Sequence, residues 1–223
     1  FYKALVNNRI SVFTIDLRNH GESDADGKGL GFGVSEANDV AAAVSWVKTT
    51  APDYPIFAMG ISMGCASIIH AHDIIEDLTG IILLDPVLHS QSAFSRGASA
   101  QTGAPWLLFV PSAYIATWLH RLPFRSKDAL NSISNINKPI LLIQDTDDPV
   151  TIAKFSRIAS KNNNCIEYWE SPRLGKHHPV LIDRGGWGSH VGAFNAYPEK
   201  TLSMILDFLY AKCGDTSSNR KLA

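Results

Sequence analysis

The pentapeptide Gly60-Ile61-Ser62-Met63-Gly64 constrains this chain more than any other stretch. It lies between an apolar run at 56–59 and a helix-like stretch at 65–72. A strand that turns at once into a helix holds its corner residue in a strained backbone conformation, with the side chain pushed outward. Glycines two positions to either side keep Cβ atoms out of that corner. The sequence therefore predicts an exposed Ser62 hydroxyl at a sharp turn, with glycine demanded at both 60 and 64. The pattern is short and recurs by chance. The strand before it and the helix after it make it informative.

The rest of the chain alternates apolar runs with helical periodicity. Residues 10–16, 55–59, 80–84, 139–144 and 165–169 read as strands. Residues 34–50, 65–77, 149–161 and 197–212 read as helices, and 1–8 as the end of another. The strands are continuous apolar runs, which implies a mostly parallel sheet with helices on both faces, an α/β architecture. The core is expected over 1–86 and 137–213, with a polar, disordered tail at 214–223.

Composition narrows the function classes. A length of 223 residues suits one domain or at most two, and 45% apolar content is ample for a core. A net charge of −1 gives no electrostatic footprint for nucleic acid. No run of about 18 apolar residues offers a membrane span. Phe1 does not open a signal peptide, so a soluble, cytoplasmic protein is favoured. Cys65, Cys165 and Cys213 show no metal-ligand spacing, and Cys65 reads as a buried free thiol. No metal and no cofactor is expected.

Residues 87–136 break the rhythm. Pro105, Pro111 and Pro123 punctuate aromatics at Phe94, Trp106, Phe109, Tyr114, Trp118 and Phe124. Two readings stand: a helical excursion packed on the sheet edge, or a cap over Ser62 lined with apolar side chains for an acyl group.

A serine hydroxyl needs a base to take its proton, histidine is the usual base, and a buried carboxylate orients the imidazole. The chain offers Ser62, then Asp145, Asp147 and Asp148, then His177, His178 and His190. His20, His70, His72, His89 and His120 read as packing or surface histidines.

Three separated segments carry a resemblance. Residues 12–23 (VFTIDLRNHGES) are similar to the Asp-x-Arg-Gly-His-Gly-x-Ser strand and loop of the α/β-hydrolase superfamily, with Asn19 at a usual glycine. Residues 57–64 resemble its nucleophile elbow. Residues 139–150 (PILLIQDTDDPV) resemble the strand that delivers its catalytic acid. The order serine, acid, histidine is the one that superfamily uses. The resemblance implies Ser62 as nucleophile and Asp148 as acid, with Asp147 second, since Asp145 stands where the family's Gly-x-x-Asp has glycine. The other two carboxylates then read as a solvated loop or caps of the helix after Pro149. His190 matches the family's Gly-His-x-Gly segment, whose small residues leave the ring free to reach both partners. Residues 171–188 read as an extra loop at the site rim.

The resemblance further implies an oxyanion hole built partly from the Met63 backbone N–H. The second donor usually comes from a loop that would lie ahead of Phe1. Two expectations stay open: a longer chain, or a second polypeptide that supplies the first strands. The implied activity is hydrolysis of carboxylic esters of small molecules, of the carboxylesterase or lysophospholipase kind. Thioesterase, amidase or acyltransferase chemistry is the alternative, as is a catalytically silent interaction module.

Overall fold

The computed structural model describes residues 2–119, 128–175, 178–182 and 184–219. In chain order the elements are α1 (Tyr2–Asn7), α2 (Ala37–Thr50), β1 (Ile56–Ile61), α3 (Met63–Ala71), β2 (Leu78–Leu84), α4 (Ser90–Thr102), α5 (Val110–Leu119), α6 (Ala129–Ser132), β3 (Ile140–Gln144), α7 (Ala153–Asn162), β4 (Ile166–Glu170), α8 (Ala193–Ala196) and α9 (Pro198–Asn219). Short 3-10 turns join several of them, including Trp106–Phe109, Pro179–Leu181 and Gly185–Trp187.

The four strands form one parallel sheet in the order β1-β2-β3-β4. Parallel neighbours need crossovers, and helices supply them on both faces. The pleat decides which face each residue serves. Ile81, Leu83, Ile140 and Leu142 pack with Cys65, Ile68 and Ile69 of α3 and with Ile133 and Ile136. Their alternates Ile82, Leu84, Leu141 and Ile143 pack with Leu5 and with Ile205, Phe208 and Leu209 of α9. Both faces are dry, which is why these strands carry no polar alternation. Gly80 sits inside β2 because a Cβ there would stand 3.0 Å from the Phe57 ring and 3.2 Å from Phe208.

Several expectations are corrected. Residues 10–16 form no ladder with any described strand. Their β-branched content favours extension, but a ladder belongs to a pair, and β1 pairs only with β2. The helix after the elbow ends at Ala71 and passes through a 3-10 turn, because Ile75 turns inward to be buried in an extended conformation. The helix expected from Pro149 begins at Ala153, and residues 149–151 fold around a carboxylate instead. The last helix runs through Asn219, past the expected end at 212. One glycine at 214 costs a long helix about 1 kcal/mol and does not stop its propagation. Residues 220–223 of the expected tail lie outside the described residues, as do His120, Pro123, Phe124 and His177.

The loop over 17–33 shows why Asn can replace glycine at 19. Asn19 has φ 63°, a left-handed conformation that Asn tolerates better than most residues. Its side-chain amide donates to Asp26 Oδ1 (3.0 Å) and to the Gly29 carbonyl (2.9 Å). Arg18 anchors the loop to α2 with a two-pronged contact to Asp39. His20 lies in this loop with Nδ1 2.8 Å from the Arg18 carbonyl, a structural role.

Candidate active site

Ser62 and Asp148 follow the carboxyl ends of β1 and β3, where open parallel sheets form crevices, and His190 comes from a loop after β4. Ser62 follows β1 directly and precedes α3. Its φ of 52° and ψ of −114° lie outside the common regions for a non-glycine residue. Such a conformation costs about 1–3 kcal/mol and persists only where the surroundings over-determine it. Here the Ser62 N–H donates to the Leu84 carbonyl (2.9 Å), and its carbonyl accepts from Cys65 N–H (3.1 Å) and Val87 N–H (3.2 Å). Cys65 is buried and its thiol donates to the Leu84 carbonyl, so it packs the turn, and burial pushes its pKa well up.

The two glycines differ. A Cβ at Gly60 would stand 2.7 Å from the Cys65 nitrogen and from the Gly64 carbonyl carbon, and nothing there can yield. At Gly64 a Cβ would meet nothing within 4 Å outside its own helix backbone. The demand for glycine at both positions is thus corrected: 60 faces into the turn and 64 faces out. Gly60→Ala is expected to abolish soluble expression or lower the melting temperature by more than 5 °C, and Gly64→Ala to melt within about 2 °C of the parent. Differential scanning fluorimetry of the two variants checks both values.

Ser62 Oγ lies 3.1 Å from His190 Nε2, and His190 Nδ1 lies 2.7 Å from Asp148 Oδ2. One assignment satisfies both contacts: Nδ1–H donates to the carboxylate and Nε2 accepts from the serine. The Asp148 side chain is wholly buried. Its Oδ1 accepts from Val150 N–H (2.7 Å) and Thr151 N–H (2.8 Å), and its Oδ2 also accepts from the Thr151 hydroxyl (2.6 Å). These donors satisfy a buried charge that would otherwise be costly.

The other carboxylates behave differently from one another. Asp147 is partly exposed and 3.6 Å from Arg173, as a solvated loop residue should be. Asp145 is not solvated: it is buried, and burial raises its carboxyl above the usual range. Its Oδ1 accepts from Asp147 N–H (3.0 Å), so it shapes the turn that presents Asp148.

The loop over 178–192 delivers His190. Arg184 donates to the His190 carbonyl (2.5 Å), and the Trp187 ring lies 5.7 Å from the imidazole. The indole N–H donates to Gln101 of α4 (3.2 Å), and Gly186 approaches Ala100 so closely that a Cβ would fall 2.4 Å from its carbonyl oxygen. The excursion therefore contacts the histidine loop. His178 stands apart from the serine and caps the turn at Pro179–Leu181, accepting from Val180 N–H.

Met63 is the first residue of α3, where a backbone N–H has no intrahelical acceptor and the helix dipole favours negative charge. Sequence reasoning missed Asp85, Gln144, Thr151 and Arg184. A charged residue directly after the apolar run of β2 was the one available signal for Asp85.

A parallel sheet between helical layers, with a serine at a strained strand-to-helix corner, is the fold of the α/β-hydrolases. The sequence profile of the family described as serine aminopeptidase, S33, matches residues 1–115, more than half of the chain. The chain belongs to that family and is a hydrolase. The matched span contains Ser62 and ends before Asp148 and His190.

No curated protein matches the chain. Among solved structures, the Pyrococcus furiosus esterase Pf2001 superposes with a TM-score of 0.68 at 21% identity, over 94% of this chain and 73% of that one. The esterase RhEst1 from Rhodococcus sp. ECU1013 gives 0.57 at 17% identity, over 93% and 84%. A bromoperoxidase from Bacillus anthracis gives 0.58 at 13% identity, over 94% and 85%. Likeness at these identities speaks to the fold. Among the described residues no helix is long and apolar enough to cross a membrane.

Proposed function

We propose that this hydrolase cleaves carboxylic esters through Ser62, His190 and Asp148 and an acyl-enzyme intermediate. The observation that carries this reading is the continuous chain of contacts from Ser62 Oγ to His190 Nε2 (3.1 Å) and from His190 Nδ1 to Asp148 Oδ2 (2.7 Å). Ser62 Oγ attacks the ester carbonyl while Nε2 takes its proton. Asp148 stabilises the imidazolium, and Met63 N–H faces the oxyanion. The tetrahedral intermediate collapses, the carbon–oxygen bond to the alcohol breaks, and His190 returns the proton to the departing oxygen. Water then attacks the acyl-enzyme by the same route, releasing the acid and restoring Ser62. The residues of this path supply nucleophile, base and orienting carboxylate.

The excursion over 87–136 serves in this reading as the cap that receives the acyl group. Trp106, Leu107, Leu108, Ile115 and Trp118 present apolar surface there, and α4 touches the loop that carries His190. Two structural neighbours are esterases, which agrees with an ester substrate. The family description favours a second reading, in which the same acyl transfer acts on an aminoacyl amide. A thioester or an acyl acceptor other than water would pass through the same intermediate. A polypeptide that adds strands beside β1 and a second oxyanion donor belongs to the same proposal.

A fluorophosphonate probe tests the reading. The expected result is one adduct, mapped to Ser62, with p-nitrophenyl butyrate turned over faster than leucine p-nitroanilide. No adduct on folded protein would remove the serine mechanism, and faster turnover of the anilide would favour the amide reading.

A further inference from the structure

Beneath the Ser62–His190–Asp148 contacts lies a buried carboxyl group that the proposed reaction does not use. Asp85 follows β2, is 2% exposed, and holds a left-handed backbone at φ 47°. Its Oδ1 accepts from Asp145 N–H (2.5 Å) and from the Gln144 side-chain amide (3.0 Å). Gln144 extends the network: its amide donates to the carbonyls of Asp145 (3.0 Å) and Thr151 (2.8 Å), and its carbonyl oxygen accepts from Ser156 (2.6 Å). The Asp85 side chain is thus bonded to the start of the loop that carries Asp148, directly and through Gln144.

We infer that Asp85 is a positioning residue, a buried tie that fixes the acid loop and so holds the Asp148 carboxylate where it orients the His190 imidazole toward Ser62. The Gln144 amide makes the tie rigid, since it meets the loop on both sides of Asp148, at Asp145 and at Thr151. Burial first, and then the charge on Asp148, push the Asp85 carboxyl well above its ordinary range. An asparagine matches the shape of that carboxyl and keeps its acceptor oxygen.

The inference rests on the triad reading for its kinetic consequence and on geometry alone for its structural one. The test uses Asp85→Ala and Asp85→Asn in the full chain. Misplacement of a catalytic group by about 1 Å costs on the order of 10²-fold. Asp85→Ala is therefore expected to lose roughly that much in kcat on p-nitrophenyl butyrate with KM within twofold, and Asp85→Asn to recover most of it. The second readout is the downfield proton resonance of His190 Nδ1–H, which reports its bond to Asp148 in the resting protein. It is expected in the parent and in Asp85→Asn, and lost or shifted in Asp85→Ala. Should Asp85→Ala not fold, Gln144→Met, which removes the bridging amide, carries the same two expectations. An alanine variant with unchanged kcat and an unchanged resonance overturns the inference, as does an asparagine variant no better than alanine. A parent that shows the resonance and no turnover sinks the catalytic reading while leaving the positioning of His190 by Asp85 open to the spectrum alone.

Discussion

Ser62→Ala is expected to lower kcat on a short-chain ester by about 10⁶-fold, the scale on which loss of a serine nucleophile collapses triad enzymes. The substitution removes one oxygen from a turn held by backbone bonds to Leu84, Cys65 and Val87, none of which needs the hydroxyl. The fold should survive and the residual rate should reflect only binding and oxyanion stabilisation. His190→Ala should cost a similar amount, and the double variant no more than either single one, because the groups act as a unit. Initial rates over a range of enzyme concentration, with melting curves as the control, measure this. A Ser62→Ala protein within tenfold of the parent would move the chemistry to another residue.

Asp148→Asn is expected to lower kcat by about 10⁴-fold while leaving the protein folded. The carboxylate accepts from His190 Nδ1–H at 2.7 Å, and that bond leaves Nε2 unprotonated toward Ser62. An asparagine would turn an N–H₂ group toward Nδ1, favour the other tautomer, and leave Nε2 carrying a proton where it must accept one. Asp147→Asn is the matched control. Asp147 is partly exposed and its ion pair with Arg173 spans 3.6 Å, so its loss should change kcat by less than about twofold. Equal losses in both variants would mean that the assignment of the acid is wrong.

Much of this architecture is written in the chain in physically direct ways. The apolar runs at 80–84 and 139–144 read as strands because both of their faces are dry, and they form β2 and β3. Ser62, Asp148 and His190 are the residue types that the sequence pattern singles out after the apolar runs, and the structure brings the three into contact. Properties that belong to pairs were not readable. The segment over 10–16 has the composition of a strand, yet strandedness depends on a neighbour, and no described strand lies against it. Asp145 looks like its neighbours Asp147 and Asp148, and only the packing around β3 makes it a buried turn-former. The different demands at Gly60 and Gly64 follow from the direction each Cβ would take, which a symmetric motif conceals. Asp85 escaped notice because its partners are backbone groups and an amide far away in the chain.

The contact between Ser62 and His190 closes a circuit of 128 positions along the polypeptide. One end rests on the sheet, and the other on 3-10 turns and left-handed joints with little buried apolar surface. In the proposed mechanism, reactivity therefore depends on a segment with few buried apolar side chains. Mild stress that loosens that segment is expected to silence Ser62 while the strands are still intact, so on the proposed mechanism this hydrolase loses its voice before it loses its shape.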